Sequence, residues 1–418
     1  MLTSTTVSAQ IAAARDDRLR VLVVGAGVAG LTLAQLLRGQ GLHPVLVERA
    51  GPDAEDGYML ALMPLVDPVI SRLGVGDEYR DRSEGVHRYR MHGRSGAPLR
   101  EYSLDGLLAR FGDYRGIERG QLLRVLASGD APVSFGTTVT ALEQTRQTVR
   151  AHLMDQTGER DAEFDVVVAA DGLHSTTREL VLGPDQIHTY DTGWGGWVAW
   201  ADSDSEPDLS EEIWGAGFFV GSYPVQGRVG VFVGGNREDT AGGPKQFLAR
   251  IRADLRTVDE RAQRALAAVA ADAGAYYWSL TDARCTTWSV GRVALLGDAA
   301  AGFLPTAGIG AAMAMESAAA LADWLGETTR ISVPEALRGY ERAQRPRVES
   351  AQDNSRQLAR LMFHRSRTLA AVRDVVTRFV PLKLALGPIR KLLESAPGRM
   401  EVVHERGRPA IAPVISAS

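Results

Sequence analysis

Lysine is nearly missing from this chain: it occurs only at Lys245, Lys383 and Lys391, although lysine and arginine together number 47 among 418 residues. Such an arginine bias reflects genome composition more often than mechanism, and it bears on function once, below. Cysteine is scarcer still. With Cys285 alone no internal disulfide can form, and a reducing compartment is compatible. No apolar window approaches the ~18 residues of a spanning helix, and Met1 to Leu19 lacks the apolar centre of a secretory signal. A cytoplasmic protein with a loose N-terminal tail and no stable membrane association is expected. An excess of either charge is also lacking. A net charge of −4 with 23% charged residues offers no electrostatic case for nucleic acid, which leaves a small molecule as the expected partner.

What is present begins at Val21. Val21 to Val24 is an apolar run without polar alternation, as suits a strand buried on both faces of a parallel sheet. Gly25, Gly27 and Gly30 follow as GxGxxG, with helix expected over Leu31 to Leu37 and a second strand over Pro44 to Val47. The first glycine allows a tight turn, the second a close approach of backbone to a pyrophosphate, the third close packing of helix on strand. The unpaired amides and positive dipole end of that helix make a seat for a diphosphate. Glu48, eighteen residues after Gly30, can accept hydrogen bonds from the hydroxyls of an adenosine ribose. Together these point to a dinucleotide without deciding between FAD and NAD.

A chain of this length exceeds one ordinary core, so two domains, or one with an inserted layer, are expected. Helix is expected over Leu60 to Leu73, closed by Gly74, and over Gly116 to Ala127, whereas Val86 to Arg100 alternates and suggests a hairpin turning at Gly93 to Gly96. Val133 to Leu142, Arg150 to Leu153 and Asp165 to Ala170 read as strands. From His188 to Val233 the chain turns β-like and aromatic, and Pro244 to Ala271 reads as an amphipathic helix. Arg292 to Leu296 is a last buried strand, followed by a loop and a long alanine-rich helix; beyond Val333 the chain is helical and basic to about Ser395. The basic stretch from Arg365 to Lys391 reads as a packed helical appendage in preference to a membrane-surface helix.

Glu48, Asp171 and Asp298 each follow a buried strand, the arrangement expected where the carboxyl edge of one sheet holds a long cofactor. The chain resembles the FAD-dependent monooxygenases of the para-hydroxybenzoate hydroxylase type. The likeness rests on GAGVAG at Gly25 to Gly30 with Glu48 and Arg49, on VVVAADGLHSTTR at Val166 to Arg178, and on RVALLGDAAAGFLPTAGIGAAMAMESA at Arg292 to Ala318. Weaker echoes at Arg119 and at VSFGTTVTALEQ, Val133 to Gln144, extend it over Leu19 to Gly339.

The resemblance implies an α/β fold: a Rossmann-like FAD-binding domain of the GR2 type, discontinuous over 19–85, 101–186 and 275–340; an inserted β-sheet substrate domain over 86–100 and 187–274; and a C-terminal helical segment and tail over 341–418. It also implies that Gly25, Gly27, Val28, Ala29 and Gly30 cradle the ADP part of FAD, with Glu48 and Arg49 at its ribose and Arg119 and Val139 against the cofactor. Asp171 would order the pyrophosphate region and influence reaction with NADPH, and Gly297 with Asp298 would meet the ribityl chain. Gly308, Ile309, Gly310 and Ala311 would open a helix whose N–H groups meet the negative charge developing at flavin N1 and the C2 carbonyl, with Pro305 fixing the loop beside the ring. Asp298 could instead cap a helix, Arg119 could be a surface residue and Pro305 could simply stiffen its loop. Two departures stand out: Ala301 replaces a histidine common after GDAA, and Asp53 to Tyr58 carries no arginine.

With NAD(P)H as reductant and O2 as co-substrate, the resemblance implies transfer of one oxygen atom to an aromatic or polycyclic small molecule of secondary metabolism through a flavin C4a-hydroperoxide. The aromatic-rich segment would supply the far wall, with Trp194, Trp197, Phe219 and Pro305 as candidate substrate contacts, although Trp194 and Trp197 could point to opposite faces of an extended strand. No side chain is assigned as catalytic acid or base, no metal ligands are assigned, and His174 reads as a loop residue. Oligomeric state is open. Dehydrogenation or oxidation, halogenation, and a non-catalytic flavin-binding regulator remain alternatives, but the lysine and WxWxIP segment of flavin halogenases are absent, Lys245 falling in a presumed surface helix.

Overall fold

Every residue of Val21–Val24 is buried, and the strand lies between Val45–Val47 and Val166–Ala169, all three parallel. Val293–Leu295 continues the parallel sheet and Ser289–Val290 closes one edge antiparallel. Strand alternation sorts the side chains into two layers. Val21 and Val23 face a core shared with the helices Val28–Arg38 and Gly310–Gly326; Leu22 and Val24 face Val149, Ala151 and Leu153 of a three-stranded antiparallel sheet, Thr138–Gln144, Val149–Asp155 and Gly158–Phe164. The computed structural model describes residues 2–52, 57–108, 110–272, 274–379 and 387–395. The expected helical run through 380–386 and the tail at 396–418 lie outside the described residues, as does most of the arginine-free loop, 53–56.

A second sheet has seven strands in the order Tyr276–Cys285, Ile187–Asp202, Arg228–Asn236, Phe218–Val225, Leu209–Trp214, Arg88–His92 and Pro98–Ser103. One face, with Trp197, Ile213, Phe218 and Val231, packs against two helices, Pro244–Asp254 and Glu260–Ala271. The other face carries Met91, Trp194, Trp214, Phe219 and Phe232 and meets Leu304 and the end of the long helix Val333–Met362. That helix is clamped by two ion pairs: Arg356 on the fully buried Asp282 at 2.9 and 2.6 Å, and Arg347 on Glu316 at 2.8 and 2.9 Å. Among the described residues no helix is long and apolar enough to cross a membrane.

Four segments depart from expectation, each for a local reason. Leu60 to Leu73 is not one helix. Met59–Leu62 is a strand, and the true helix is Asp67–Leu73, because Pro64 lacks an N–H and holds Met63 extended. Gly116 to Ala127 splits likewise into the strand Arg115–Glu118, which pairs with Met59–Leu62, and the helix Arg119–Leu126. Pro244 to Ala271 breaks at Leu255, where the Arg256 and Thr257 amides turn to the Ser95 carbonyl and Asp259 restarts the helix by capping the Ala262 amide. Val133 to Leu142 divides at a turn into Ala131–Val133 and Thr138–Gln144.

The N-terminal segment is not a loose tail. Leu2–Ser4 pairs with Ala131–Val133, and the helix Val7–Ala13 buries Gln10. The Gln10 amide donates to the Leu46 carbonyl at 3.0 Å and accepts from the Leu46 amide at 2.8 Å.

Beneath the helical face of the large sheet sits buried His92. Its Nδ1 donates to the Gly96 carbonyl at 2.8 Å, and its Nε2 lies 3.3 Å from Glu211 Oε2 and 3.6 Å from Asp259 Oδ2. Arg90 also donates to that Glu211 oxygen, at 3.2 Å, so positive charge already reaches it. Burial alone would lower the imidazole pKa, but Glu211, the Gly96 carbonyl and Asp259 outweigh it and raise the value above 6.5. The folded chain thus favours the proton: the stabilisation is complete below the ordinary value and is lost as pH rises through the raised one. The melting temperature followed from about pH 6 to about pH 9 should fall, and His92→Asn should flatten that fall.

Candidate active site

The cleft starts where Val21–Val24 ends. Gly25 has φ +102°, and a methyl group there would lie 2.5 Å from the Ala170 carbonyl oxygen. At Gly30 a methyl group would lie 1.9 Å from the Gly25 carbonyl oxygen, so this close crossing of helix on turn admits no side chain. Gly27 differs, since nothing lies within 4 Å of where its Cβ would be. It precedes the helix Val28–Arg38, which has neither a side-chain cap nor an acid in its first turn, so its leading amides remain available to an anion. Glu48 is fixed beside this turn, Oε2 accepting from the Ala26 amide and Oε1 from the Ala50 amide, both at 2.8 Å; Arg49 next to it is exposed.

Contacts carry the cleft onward from there. The Asp171 Cα would lie 2.9 Å from a Gly25 Cβ, and a Gly297 Cβ would lie 2.7 Å from the Ala29 methyl, so all three motif loops touch. Asp171 accepts from the Ser175 hydroxyl and from the Thr177 amide at the start of the turn Thr176–Glu179, which Ser175 caps. Arg178, to which sequence reading gave no role, ties two of these loops together. Buried, it donates to the Leu173 carbonyl at 2.9 Å and to the Ala299 carbonyl at 3.0 Å.

Asp298 is reachable by solvent through the cleft, yet protein surrounds it closely enough for desolvation to push its carboxyl up to about 6. Tyr58 feels this group. Burial, then the Asp298 charge, raise its phenol pKa, and Arg119 opposes them. Arg119 lies against Gly57, and its amide donates to the Tyr58 carbonyl at 2.9 Å. Farther along, Gly308 stands in the left-handed region beside Ala61, and Ile309 leads into Gly310–Gly326, a second helix with no side-chain cap and no acid in its first turn; Ala311 sits in that turn. Pro305 is exposed at the start of this loop, and Ala301 is buried. The loop is held from outside instead, by Gln352 on the Gly302 carbonyl at 2.5 Å and by Thr306 on the Ser355 carbonyl at 2.8 Å. Two uncapped helix starts, an acid at each end and a floor that excludes side chains fit a long anionic dinucleotide such as FAD.

Opposite stands the aromatic face of the seven-stranded sheet. Trp194 stacks on Phe363 with centroids 4.6 Å apart, Phe219 meets Phe363 edge-on at 6.4 Å, and Tyr58 tilts against Trp278 at 4.9 Å. Two expected contacts lie elsewhere. Trp197 is on the other face, packed against Phe247 and Tyr277 beneath the helices, as strand alternation from Trp194 requires. Val139 is buried in the core between the parallel sheet and the three-stranded layer.

Comparison with known proteins agrees with this geometry. A family model described as "FAD binding domain" matches residues 18–355. The 3-amino-4-hydroxybenzoate 2-monooxygenase PtnB3 of Streptomyces platensis is 32% identical over 359 residues, covering 81% of this chain and 87% of that protein. The 6-hydroxynicotinate 3-monooxygenase of Pseudomonas fluorescens is 27% identical over 351 residues, covering 80% and 89%. Klebsiella pneumoniae HpxO, solved with FAD and uric acid, superposes with a TM-score of 0.78 at 26% identity, covering 91% of this chain and 97% of that one. The chain belongs to the family of FAD-dependent aromatic-ring monooxygenases.

Proposed function

We propose that this monooxygenase takes electrons from NADH or NADPH and places one oxygen atom of O2 on an amino- or hydroxy-substituted aromatic molecule of secondary metabolism, in the cytoplasm. The observation that carries this reading is the position of Tyr58, whose ring lies on Trp278 of the aromatic face while its hydroxyl feels Asp298 and Arg119 of the cofactor cleft. A flat substrate on that face would therefore abut the cofactor. When bound, FAD supplies the redox and oxygen chemistry.

The side chains do the rest. In this reading Gly25, Gly27, Val28, Ala29 and Gly30 offer backbone N–H groups to the pyrophosphate, and Glu48 accepts from the ribose. Gly297 and Asp298 hold the ribityl chain, with Arg119 and Asp171 bordering the cofactor. Gly308 to Ala311 present helix amides to charge developing on the flavin ring, and Pro305 stiffens their approach. Trp194 and Phe219, covered by Phe363, keep bulk water away from the reacting atoms. The segments 86–100 and 187–274, whose strands form one seven-stranded sheet with Tyr276–Cys285 and the end of Pro98–Ser103, serve as the substrate-binding part.

The test uses FAD-loaded protein, NADH or NADPH, and isotopically labelled O2 with a panel of amino- and hydroxy-aromatics. Faster reductant oxidation and a product bearing one labelled atom are expected. If no aromatic speeds oxidation and no product gains label, the reading fails.

A further inference from the structure

On the strand Leu209–Trp214 the side chains alternate between the two faces of the sheet. Ile213 belongs to the core under the helices, whereas Glu212 and Trp214 are turned to the aromatic face. A carboxylate among aromatic rings needs donors, and Glu212 has three. Tyr89 donates to Oε2 at 2.7 Å, Trp214 Nε1 to the same oxygen at 2.8 Å, and Tyr223 to Oε1 at 2.7 Å. Glycine at 221 makes the last bond possible, because the Tyr223 hydroxyl lies 2.6 Å from where a Cβ at that position would be. Burial first, and then the Glu212 charge, hold the phenols of Tyr89 and Tyr223 well above their ordinary range, so both remain donors. A carboxylate offers about four acceptor positions. Three are taken, one on Oε1 remains, and Glu212 is only partly buried while its neighbours Glu211 and Ile213 are fully so.

Of the cations bordering this face, Arg119 lies at its Tyr58 end and Arg360 over the Tyr190 ring, while four others are already committed. Arg88 and Arg90 point to the opposite side, to Asp208, Glu206, Glu101 and Glu211. Arg228 pairs with Glu118 over the Trp200 ring. Arg373, over Trp214, donates to the Trp214 and Met362 carbonyls and to Asp374. A substrate carboxylate placed against Glu212 would find none of these four free to compensate it.

We infer that Glu212, oriented by Tyr89, Trp214 and Tyr223, is the specificity-determining group of the aromatic face, accepting a hydrogen bond from a hydroxyl or amino group of an aromatic substrate and disfavouring ring carboxylates. This rests on the monooxygenase reading of the same site and adds the substrate class. It also separates the chain from relatives whose names specify a benzoate.

The test compares 2-aminophenol with 3-amino-4-hydroxybenzoate, the same ring bearing a carboxylate, by titrating FAD-loaded protein and following the perturbation of the flavin spectrum. Wild type should bind 2-aminophenol at least about tenfold more tightly, and Glu212→Gln should remove most of that preference. If Glu212→Gln does not retain FAD, Tyr223→Phe takes its place and should shrink the preference about threefold. Equal or tighter binding of the benzoate by wild type, binding of neither compound, or an unchanged ratio in the variant would overturn the inference. Labelled-oxygen incorporation into some other aromatic would still leave the monooxygenase reading standing, so the two failures are distinguishable.

Discussion

Gly30→Ala is expected to produce a protein that no longer retains FAD, with unfolding free energy lower by about 3 kcal/mol. The added methyl would lie 1.9 Å from the Gly25 carbonyl oxygen, well inside contact distance, and the obstacle is backbone that cannot rotate away. Relief requires helix Val28–Arg38 to move off the sheet, which withdraws its leading amides from the phosphate seat and opens a core containing Leu31, Leu33 and Leu37. Gly27→Ala is the control, having no atom within 4 Å of its Cβ, and should fold normally. Flavin content after purification and urea denaturation of the FAD-free protein would check both; retention of FAD by Gly30→Ala would refute the close-crossing argument.

Arg178→Met should be nearly as damaging, at about 2–4 kcal/mol, with FAD affinity reduced at least ~10-fold. The guanidinium satisfies the carbonyls of Leu173 and Ala299, one in each of two cofactor loops, and methionine deprives the half-buried Leu173 carbonyl of this donor and leaves the buried Ala299 carbonyl only the weak Cys285 thiol at 3.5 Å. The Arg178 Nε already lacks a partner, so removing the charge recovers some desolvation cost, which sets the lower end of the range. Arg178→Lys should fall between, because a single ammonium cannot span both carbonyls as a planar fork does. Chemical denaturation with and without FAD separates the two effects: a variant destabilised equally in both would show that the strap serves folding and not the cofactor.

How much could be read beforehand depended on how far each residue's partners lie along the chain. The unit from Val21 to Glu48 was legible almost to its ends, since buried strands, a glycine turn and a helix each announce themselves locally. Leu60 to Leu73 and Gly116 to Ala127 misled because short apolar runs fit a helix or a buried strand equally well, and only their pairing with each other decides. Trp194 and Trp197 illustrate a period that was visible without its phase. Alternation required opposite faces, but which ring met the cleft depended on where the helices Pro244–Asp254 and Glu260–Ala271 lay down. Glu212 was invisible as a functional residue for the same reason. Its character comes from a tyrosine 123 residues away and another 11 away, and no motif joins the three. The regularities that failed are those set by tertiary pairing, whereas the acids after strands fall on one edge because chain direction alone puts them there.

The Gln10 amide has one further consequence. By matching both backbone groups of Leu46, and together with Ser134, whose amide reaches the same carbonyl at 2.9 Å, it covers the outer margin of Val45–Val47. A bare parallel margin is a template on which another molecule can add its own backbone, the first step toward filaments. Trimming the residues ahead of Leu19 would therefore strip a guard against self-association, and the damage would surface as concentration-dependent precipitation and not as loss of the oxygenase site.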